Sequence, residues 1–422
     1  MAKSDLLFLG IVATIPIQLS KFFWPDFSYV LGIPVDYQAI TFYASDLFIF
    51  AYLILFTLEY ARKLPQILAD RKILFASLAL FNLYLAISAL LISPSKAVSL
   101  YSSLRVFQFS LLALFAQITL SSNRLSNLSQ KLLLFSAFWQ SSVVILQFIF
   151  QKSLGLWILG ERSFDSTTTG IAHTGLMGSQ LLRPYGTFPH PNVVGAFLVI
   201  TLLVSLPTWH RTTARIPALS TVIVALLAAI LTFSKTAILA LGTSLLVAVG
   251  KVGYILLGLS LLILLVIVGP TLLPDGQLAS VAERLILAQA AFDITLKNPL
   301  FGVGSGNFIA ELARLNLFSL SEVRLLQPVH NVFLLILAES GIAGLLLFAL
   351  FLAVVAKRVD SSQKLVLFMV ILIYASTDHF FWTLHQGRLL FWLAIAFILS
   401  SPKTENSAKS VNRKAQLLSN RR

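Results

Sequence analysis

The residue with the clearest chemical potential is His330, which stands at the start of a long apolar segment and is followed by Asn331. A neutral imidazole can act as a general base, and nearby cations favour that neutral form. Two interpretations stay open: a base that takes a proton from a substrate, or a histidine that is only hydrogen-bonded at a helix start. Glu339 lies nine residues further along, about half a helical turn out of phase with His330. We therefore predict that Glu339 makes a separate, buried polar contact.

Basic residues near the same ends of apolar segments could bind an anion. Four of them stand out: Arg183, Lys235, Arg284 and Arg388. A guanidinium can bind phosphate through two parallel N–H groups, whereas an ammonium is a point charge. Ordinary interpretations also exist: Arg183 as an incidental residue of a proline-rich turn, Lys235 as a side chain that extends to water, and Arg284 as the partner of a neighbouring acid. A phosphate-binding site and these structural roles both remain open at this point.

A glycine-rich segment, residues 298–308, lies between Arg284 and His330. Its three glycines are Gly302, Gly304 and Gly306. A nucleotide-binding loop is rejected, because the segment lacks the preceding strand and the Lys-Ser/Thr ending that such a loop needs. We predict a structural turn whose backbone amides could also help to hold an anion. The face that carries these residues has no convincing Asp-x-Asp pair, and we predict neither a metal site nor a cofactor.

The composition places these residues on a membrane protein. Hydrophobic residues make up 57% of the chain and charged residues 11%. Apolar runs of about 17 to 25 residues recur throughout, each long enough to cross the hydrocarbon layer. The predicted fold is all-α: a polytopic membrane bundle of about 12 transmembrane helices, with a large extracytoplasmic loop that carries interfacial helices. The chain has no cysteine, so disulfides and thiolate metal sites are excluded.

Twelve spans set the predicted topology. They are 6–22, 45–61, 73–92, 102–120, 132–150, 191–208, 217–233, 235–250, 252–270, 330–355, 364–377 and 388–401. Basic residues cluster on the side of both termini, which by the positive-inside rule is cytoplasmic. We predict one integral membrane domain, 1–401, with long outer loops at about 151–190 and 271–329, and a basic, disordered cytoplasmic tail, 402–422. The net charge of +14 is mainly this topological signal, so it indicates no nucleic-acid partner.

Five segments, in this order, together resemble the O-antigen ligase/O-antigen polymerase family. They are Arg183 to Asn192, Ser234-Lys235, Arg284, Asn298 to Phe308, and His330-Asn331 through Glu339, Gly341 and Gly344. The segment from Asp378 to Gly387 is similar to a branch of that family. The resemblance covers about residues 180 to 400.

This resemblance implies a metal-independent, inverting glycosyltransferase of the bacterial inner membrane, with its active site on the extracytoplasmic face. The donor would be a glycan on undecaprenyl diphosphate, the acceptor a lipid A core, a polysaccharide or a protein, and membrane lipids would be further partners. His330 is implied as the base and Arg183, Arg284 and Lys235 as diphosphate contacts, with Arg388 as a further candidate. The family usually has arginine in place of Lys235, which leaves the role of that lysine open. Ligase and polymerase share these motifs, so the glycan and the acceptor stay open as well.

A transporter of a small anion such as bicarbonate is the rival hypothesis. A transporter is expected to carry charged residues or broken helices near the middle of the bilayer. Apart from Arg105 and Glu339, the notable polar residues lie at the predicted outer interface. That distribution favours the enzyme. A non-catalytic glycan-binding scaffold is a third hypothesis, and it would have no need of His330.

Overall fold

The computed structural model describes residues 1–176, 179–211, 215–249, 275–315 and 325–401. Within these ranges the chain is mostly helical, as predicted, and three small antiparallel sheets are added to the helices. The predicted span 252–270 and the predicted tail 402–422 lie outside the described residues, as does part of the predicted outer loop 271–329.

The helices are numbered here in chain order. They are α1 Lys3–Thr14, α2 Ala44–Tyr60, α3 Leu64–Asp70, α4 Lys72–Leu91, α5 Lys96–Leu120, α6 Asn123–Phe150, α7 Pro191–Arg211, α8 Arg215–Leu231, α9 Lys235–Val249, α10 Asp275–Lys297, α11 Phe308–Arg314, α12 Val332–Ala356, α13 Ser362–Thr377, α14 Phe380–Thr383 and α15 His385–Leu399. One cluster of buried apolar side chains runs through them, from Phe8 in α1 to Leu399 in α15.

The strands form three pairs that the sequence did not predict. They are β1 Ser20–Phe23 with β4 Ile40–Tyr43, β2 Tyr29–Val30 with β3 Ile33–Pro34, and β5 His173–Leu176 with β6 Ser179–Leu182. The predicted first span, 6–22, is wrong at its end, because α1 stops at Thr14 and β1 follows. Pro16 has no N–H to continue the helical hydrogen-bond ladder, and this explains the early end.

Among the described residues, four helices are long and apolar enough to cross a membrane: α4, α5, α6 and α12. A fifth crossing results if α2 and α3, which meet at a bend of 99°, are counted as one broken span. Four further apolar helices are shorter, at Pro191–Ser205, Leu219–Leu231, Ser362–Thr377 and His385–Leu399. The membrane character of the chain is thus supported, whereas the count of about 12 spans stays a prediction.

Hydrogen bonds show which helix ends lie together. The amide of Asn331, directly before α12, donates to the carbonyl of Ser376 near the end of α13 at 2.9 Å. The guanidinium of Arg183, shortly before α7, donates to the carbonyl of Thr232, directly after α8, at 2.9 Å. We call this end of the bundle the site end. It contains the starts of α7, α9 and α12 and the ends of α8 and α13.

Helix α12 is broken at Gly341, where φ is +64°. In an unbroken helix, the N–H groups of residues 342 and 343 would bind the carbonyls of residues 338 and 339. Here Ile342 N–H and Ala343 N–H donate instead to the carbonyls of Pro299 and Leu300, at 2.9 and 3.2 Å. The carbonyls of residues 338 and 339 accept N–H groups from residues 303 and 304, at 3.1 and 2.7 Å. Segment 299–304 therefore supplies partners for the four backbone groups whose two helical bonds the break removes.

Two glycines allow this close approach of backbones. A Cβ atom at Gly302 would lie 2.4 Å from the carbonyl carbon of Glu339, and one at Gly341 would lie 2.3 Å from the carbonyl carbon of Leu300. Both glycines also have positive φ, which L side chains rarely adopt. The glycine-rich segment is thus the backbone partner of a broken helix, a role that the sequence analysis did not predict.

Candidate functional site

His330 lies where α12 and α13 meet at the site end. Asn331 caps α12, since its Oδ1 accepts the N–H of Leu334 at 3.0 Å. The amide of the same side chain binds the carbonyl of Ser376 in α13. One asparagine therefore joins the start of one helix to the end of the other. As a result His330, directly before the cap, lies beside Asp378, directly after α13.

The imidazole of His330 faces a buried carboxylate. Its Nδ1 lies 3.5 Å from Oδ1 of Asp378 and has no closer hydrogen-bond partner among the described residues. The other oxygen, Oδ2, accepts the side-chain amide of Asn192 at 2.8 Å. Oδ1 also accepts the backbone N–H of His379 at 2.7 Å. The carboxylate is thus held on two sides, and the His330 ring is its neighbour on a third.

The histidines around Asp378 determine its charge. Burial raises the pKa of this carboxyl, but the contact with His330 and the neighbouring His379 and His190 lower it, and the net pKa is well below the usual range. Burial lowers the pKa of His379 to about 3, although Asp378 acts in the opposite direction. Desolvation, with a contribution from Arg183, lowers the pKa of His190 to about 3. At neutral pH, Asp378 is therefore an anion beside two neutral imidazoles.

Two arginines bind the C-terminal ends of helices next to this group. Arg183 Nε donates to the carbonyl of Thr232 at 2.9 Å, and its Nη2 donates to Oδ1 of Asn192 at 2.8 Å. Arg284 Nη1 donates to the carbonyl of Thr377 at 3.1 Å. Cations are favourable there, because the last carbonyls of a helix have no partner within it. These contacts hold both guanidinium groups in place at the site end.

Lys235 adds a third cation. It is the first residue of α9, and its charge repels those of Arg284 and Arg183. Burial lowers the pKa of Arg183 to about 10, and repulsion from Arg284 acts in the same direction. The structure thus brings together three of the four basic residues singled out in the sequence. Positive charge concentrated in this way is what a bound diphosphate would neutralise.

Arg388 has different neighbours. Its Nε donates to the carbonyl of Trp382 at 2.6 Å, and the charged or polar groups that act on it are Arg105, Tyr101, Tyr43 and Glu339. Neither Arg183 nor Arg284 is among them. The prediction that Arg388 contacts the diphosphate therefore gains no support from its position.

Two other predicted residues have structural contacts. Glu339 is buried, and its Oε1 accepts the N–H of Phe308 at 3.4 Å, so it makes the separate contact that its helical phase predicted. The predicted anion-holding role of the glycine-rich turn needs correction. The amides of Val303 and Gly304 already donate to carbonyls of α12. Those two N–H groups are therefore not available to an anion.

The sequence did not single out Asp378, His379, Asn192 or His190 as functional residues. Asp378 and His379 were noted only within a segment similar to a branch of the resembled family, and Asn192 only as the end of the segment from Arg183. An acid and a histidine directly after an apolar segment were the available signal. Their significance depends on contact with His330, which is distant in the chain.

The same group of side chains bears on the prediction that no metal takes part. His330, Asp378 and His379 each offer one ligand atom, and these atoms lie within 4.8 Å of one another. Two imidazoles and a carboxylate are a ligand set that Zn²⁺ accepts. A metal-dependent reaction is therefore the alternative that an experiment has to separate from base catalysis.

The sequence that carries much of this site matches a known protein family. Residues 192–349 match the O-antigen ligase family model. The match confirms the resemblance predicted from the sequence, and it includes Lys235, Arg284 and His330. Arg183, Asp378 and Arg388 lie outside the matched segment. No curated protein matches the chain.

The O-antigen ligase match, over residues 192–349, bears on the broad class of the protein. It indicates a glycosyltransferase-like membrane enzyme of the O-antigen ligase/polymerase kind. Lipid-linked glycans and membrane lipids are the partners that this class implies. The rival hypothesis of a small-anion transporter has no support from the match.

Proposed function

We propose that this protein transfers a glycan from undecaprenyl diphosphate to an acceptor hydroxyl, with inversion at the anomeric carbon and without a metal ion. The observation that supports this most is the contact of His330 with Asp378 beside Arg183, Arg284 and Lys235. A base and an anion-binding group are the two elements that the transfer needs, and both lie at the site end.

His330 acts as the general base through Nε2. Its Nδ1 faces the carboxylate of Asp378, and an ionised carboxylate favours the tautomer with the proton on Nδ1. The lone pair on Nε2 is then able to accept the proton of the acceptor hydroxyl. Asp378 stabilises the imidazolium that forms, as the carboxylate does in other histidine–carboxylate pairs. Asp378 is thus a positioning residue, because it acts through His330.

The three cations stabilise the leaving group. As the acceptor oxygen bonds to the anomeric carbon, the bond from that carbon to the diphosphate oxygen breaks and the diphosphate keeps the electron pair. Arg183, Arg284 and Lys235 offset the charge that develops on it, in the role that a metal ion has in other transferases. The two guanidinium groups are already held by helix carbonyls, so little reorganisation is needed during the reaction.

Transfer of label tests the proposal directly. Purified protein in detergent is incubated with a radiolabelled glycan on undecaprenyl diphosphate and a set of acceptors, with and without a chelator. We expect wild-type protein to release undecaprenyl diphosphate in the presence of the chelator, and His330→Ala to release none above background. Abolition of wild-type activity by the chelator, with recovery on adding Zn²⁺, would instead assign His330, Asp378 and His379 to a metal.

A further inference from the structure

A cavity of about 470 Å³ lies next to the proposed active site. This volume is within the range of roughly 300–1,000 Å³ that small-molecule sites occupy. Its walls come from the segments around β1 and β4, the predicted loop after α6, and the start of α15. Its lining includes Phe22, Trp24, Tyr37, Tyr43, Arg105 and Arg388.

The cavity lies beside the histidine group. Tyr37 and Thr383 both line it. The Tyr37 ring lies edge-on to the His379 ring, with 5.5 Å between centroids, and Oγ1 of Thr383 contacts Nδ1 of His379 at 2.7 Å. The His379 ring is in turn 4.9 Å from that of His330. Tyr37 and Thr383 therefore connect to the proposed base through the ring of His379.

One guanidinium at the cavity is already paired. Arg105 is 5% exposed, and its Nη1 binds Oδ1 of Asp46 at 2.8 Å and Oε1 of Gln108 at the same distance. Its Nη2 contacts Nδ1 of His385, whose ring stacks on Tyr43 with 3.9 Å between centroids. Nε of Arg105 is buried and has no partner among the described residues.

Arg388 is a second guanidinium at the cavity, and unlike Arg105 it is in no described ion pair. The ion pairs between described residues do not include it, and its described hydrogen bond is to a neutral carbonyl. Two acids also line the cavity, Asp36 and Glu161, but Glu161 is bound by the N–H groups of Leu154 and Leu156. Exposed Arg162 lies beside Glu161 at the rim. Among the described residues, Arg388 is therefore a lining cation that is in no ion pair, and its guanidinium is suited to an anion.

Aromatic rings form much of the remaining wall. Trp24 is 42% exposed, and its ring stacks on Phe22 with 5.4 Å between centroids. Trp157, 73% exposed, and Tyr101 also line the cavity. Exposed aromatic rings beside polar groups suit ligands that have both apolar faces and hydroxyls. Saccharides have this combination, which a simple inorganic anion lacks.

We propose that this cavity binds an acidic saccharide, with Arg388 bound to its carboxylate or phosphate group and the aromatic rings packed on its sugar rings. The inference rests on the proposed function, because the bound saccharide is the acceptor whose hydroxyl reaches His330. It also gives Arg388 a role distinct from that of Arg183 and Arg284. The charge of Arg388 selects acidic over neutral acceptors.

Equilibrium binding without donor tests this inference. Protein in nanodiscs is titrated with three oligosaccharides of equal length: a uronic-acid oligomer, a singly phosphorylated neutral oligomer and the unmodified neutral oligomer. We expect the acidic probes to bind at least about tenfold more tightly than the neutral one. The carboxylate and phosphate arms then show which acidic group is preferred. Equal affinity for all three probes, or no binding, would overturn the inference.

Variants connect the binding to the residues. Arg388→Gln is expected to remove the preference for the acidic probes, and Arg388→Lys to retain part of it. Trp24→Ala, at an exposed ring, should weaken the binding of all three probes. It tests the cavity independently if the Arg388 variants do not fold. Lys21→Gln is the matched control, because Lys21 is an exposed cation on β1 that does not line the cavity. Unchanged preference in Arg388→Gln would remove Arg388 from the site.

The outcome is separable from that of the proposed function. Selective binding without any glycan transfer would support the assignment of the cavity to an acidic saccharide and reject the proposed glycosyltransferase function. Glycan transfer without selective binding would support the proposed glycosyltransferase function and reject the inference that the acceptor is acidic.

Discussion

Nδ1 of His330 lies 3.5 Å from Oδ1 of Asp378, although the two residues stand 48 positions apart in the chain. They meet because one follows α13, the other precedes α12, and Asn331 joins these two helix ends. Asp378 is buried and ionised, so it can orient the imidazole and stabilise its protonated form. The pair is the basis of the first prediction.

Substitution of either member of the pair should lower the rate of glycan transfer. We expect His330→Ala to reduce kcat by roughly 10²–10⁴-fold, the usual contribution of a general base. Asp378→Asn should give a smaller loss, about tenfold or more, with the donor KM little changed and an altered pH profile of kcat. His173→Ala is the control, since His173 lies in β5 and contacts the carbonyl of Ser166. Full activity in His330→Ala would reject the base assignment.

The arginines should act through the shape of their guanidinium groups as well as through charge. Arg183→Lys and Arg284→Lys keep the charge and lose the two-pronged contact. We expect each to weaken donor binding by roughly tenfold to a hundredfold, measured as donor KM and by titration with undecaprenyl diphosphate. Arg314→Lys serves as the control, because Arg314 is exposed and paired with Glu311. An unchanged donor KM and an unchanged affinity for undecaprenyl diphosphate in both variants would show that the diphosphate binds elsewhere.

His379 should make the protein less stable as the pH falls. Its pKa is about 3 in the folded protein and about 6.5 in an unfolded chain, so the unfolded chain binds the proton first. The stability that the neutral ring contributes is fully present above pH 6.5 and is lost as the pH falls towards 3. We expect a slope of up to about 1.4 kcal/mol per pH unit in this window. His379→Gln should have a flatter dependence of unfolding free energy on pH, and parallel curves would contradict the assignment.

The contact between segment 299–304 and α12 should depend on glycine. Gly302→Ala adds a Cβ 2.4 Å from the backbone of Glu339, in addition to the cost of its positive φ. Gly32→Ala has a similar φ but nothing within 4 Å, so it measures the cost of φ alone. We expect about 1 kcal/mol or more of destabilisation at Gly32 and a clearly larger effect at Gly302. Thermal unfolding in detergent compares the two, and equal effects would show that the contact is loose.

The sequence predicted long regular elements well. The bounds of α2 and α4 agree with the predicted spans 45–61 and 73–92 to within one residue, because an apolar run between charged residues marks both ends of a helix. The strands β2 and β3 were missed, since two residues are too few to show a periodic pattern. The break between α8 and α9 was predicted by the separate spans 217–233 and 235–250, and Phe233, at this break, has positive φ.

The candidate site was predicted only in part. Residue type alone marked His330, Arg183, Arg284 and Lys235, because a charge or imidazole beside apolar segments needs a reason to be there. Asp378 could not be recognised as a partner, since the pairing of α12 with α13 is a tertiary contact. Arg388 had the same sequence signal as the others and has different neighbours in the fold.

The break in α12 also has a consequence for the order in which the protein assembles. Lipid offers no hydrogen bonds, so the four backbone groups exposed at Gly341 need partners as soon as the span enters the bilayer. Those partners, residues 299–304, precede α12 in the chain and have already been synthesised when α12 emerges. The order of the two segments in the chain thus makes the hydrogen-bond partners present before α12 needs them. A circular permutant that places residues 275–315 after α12 would insert this span before its partner exists, and it should be degraded or misassembled even though every native contact remains possible.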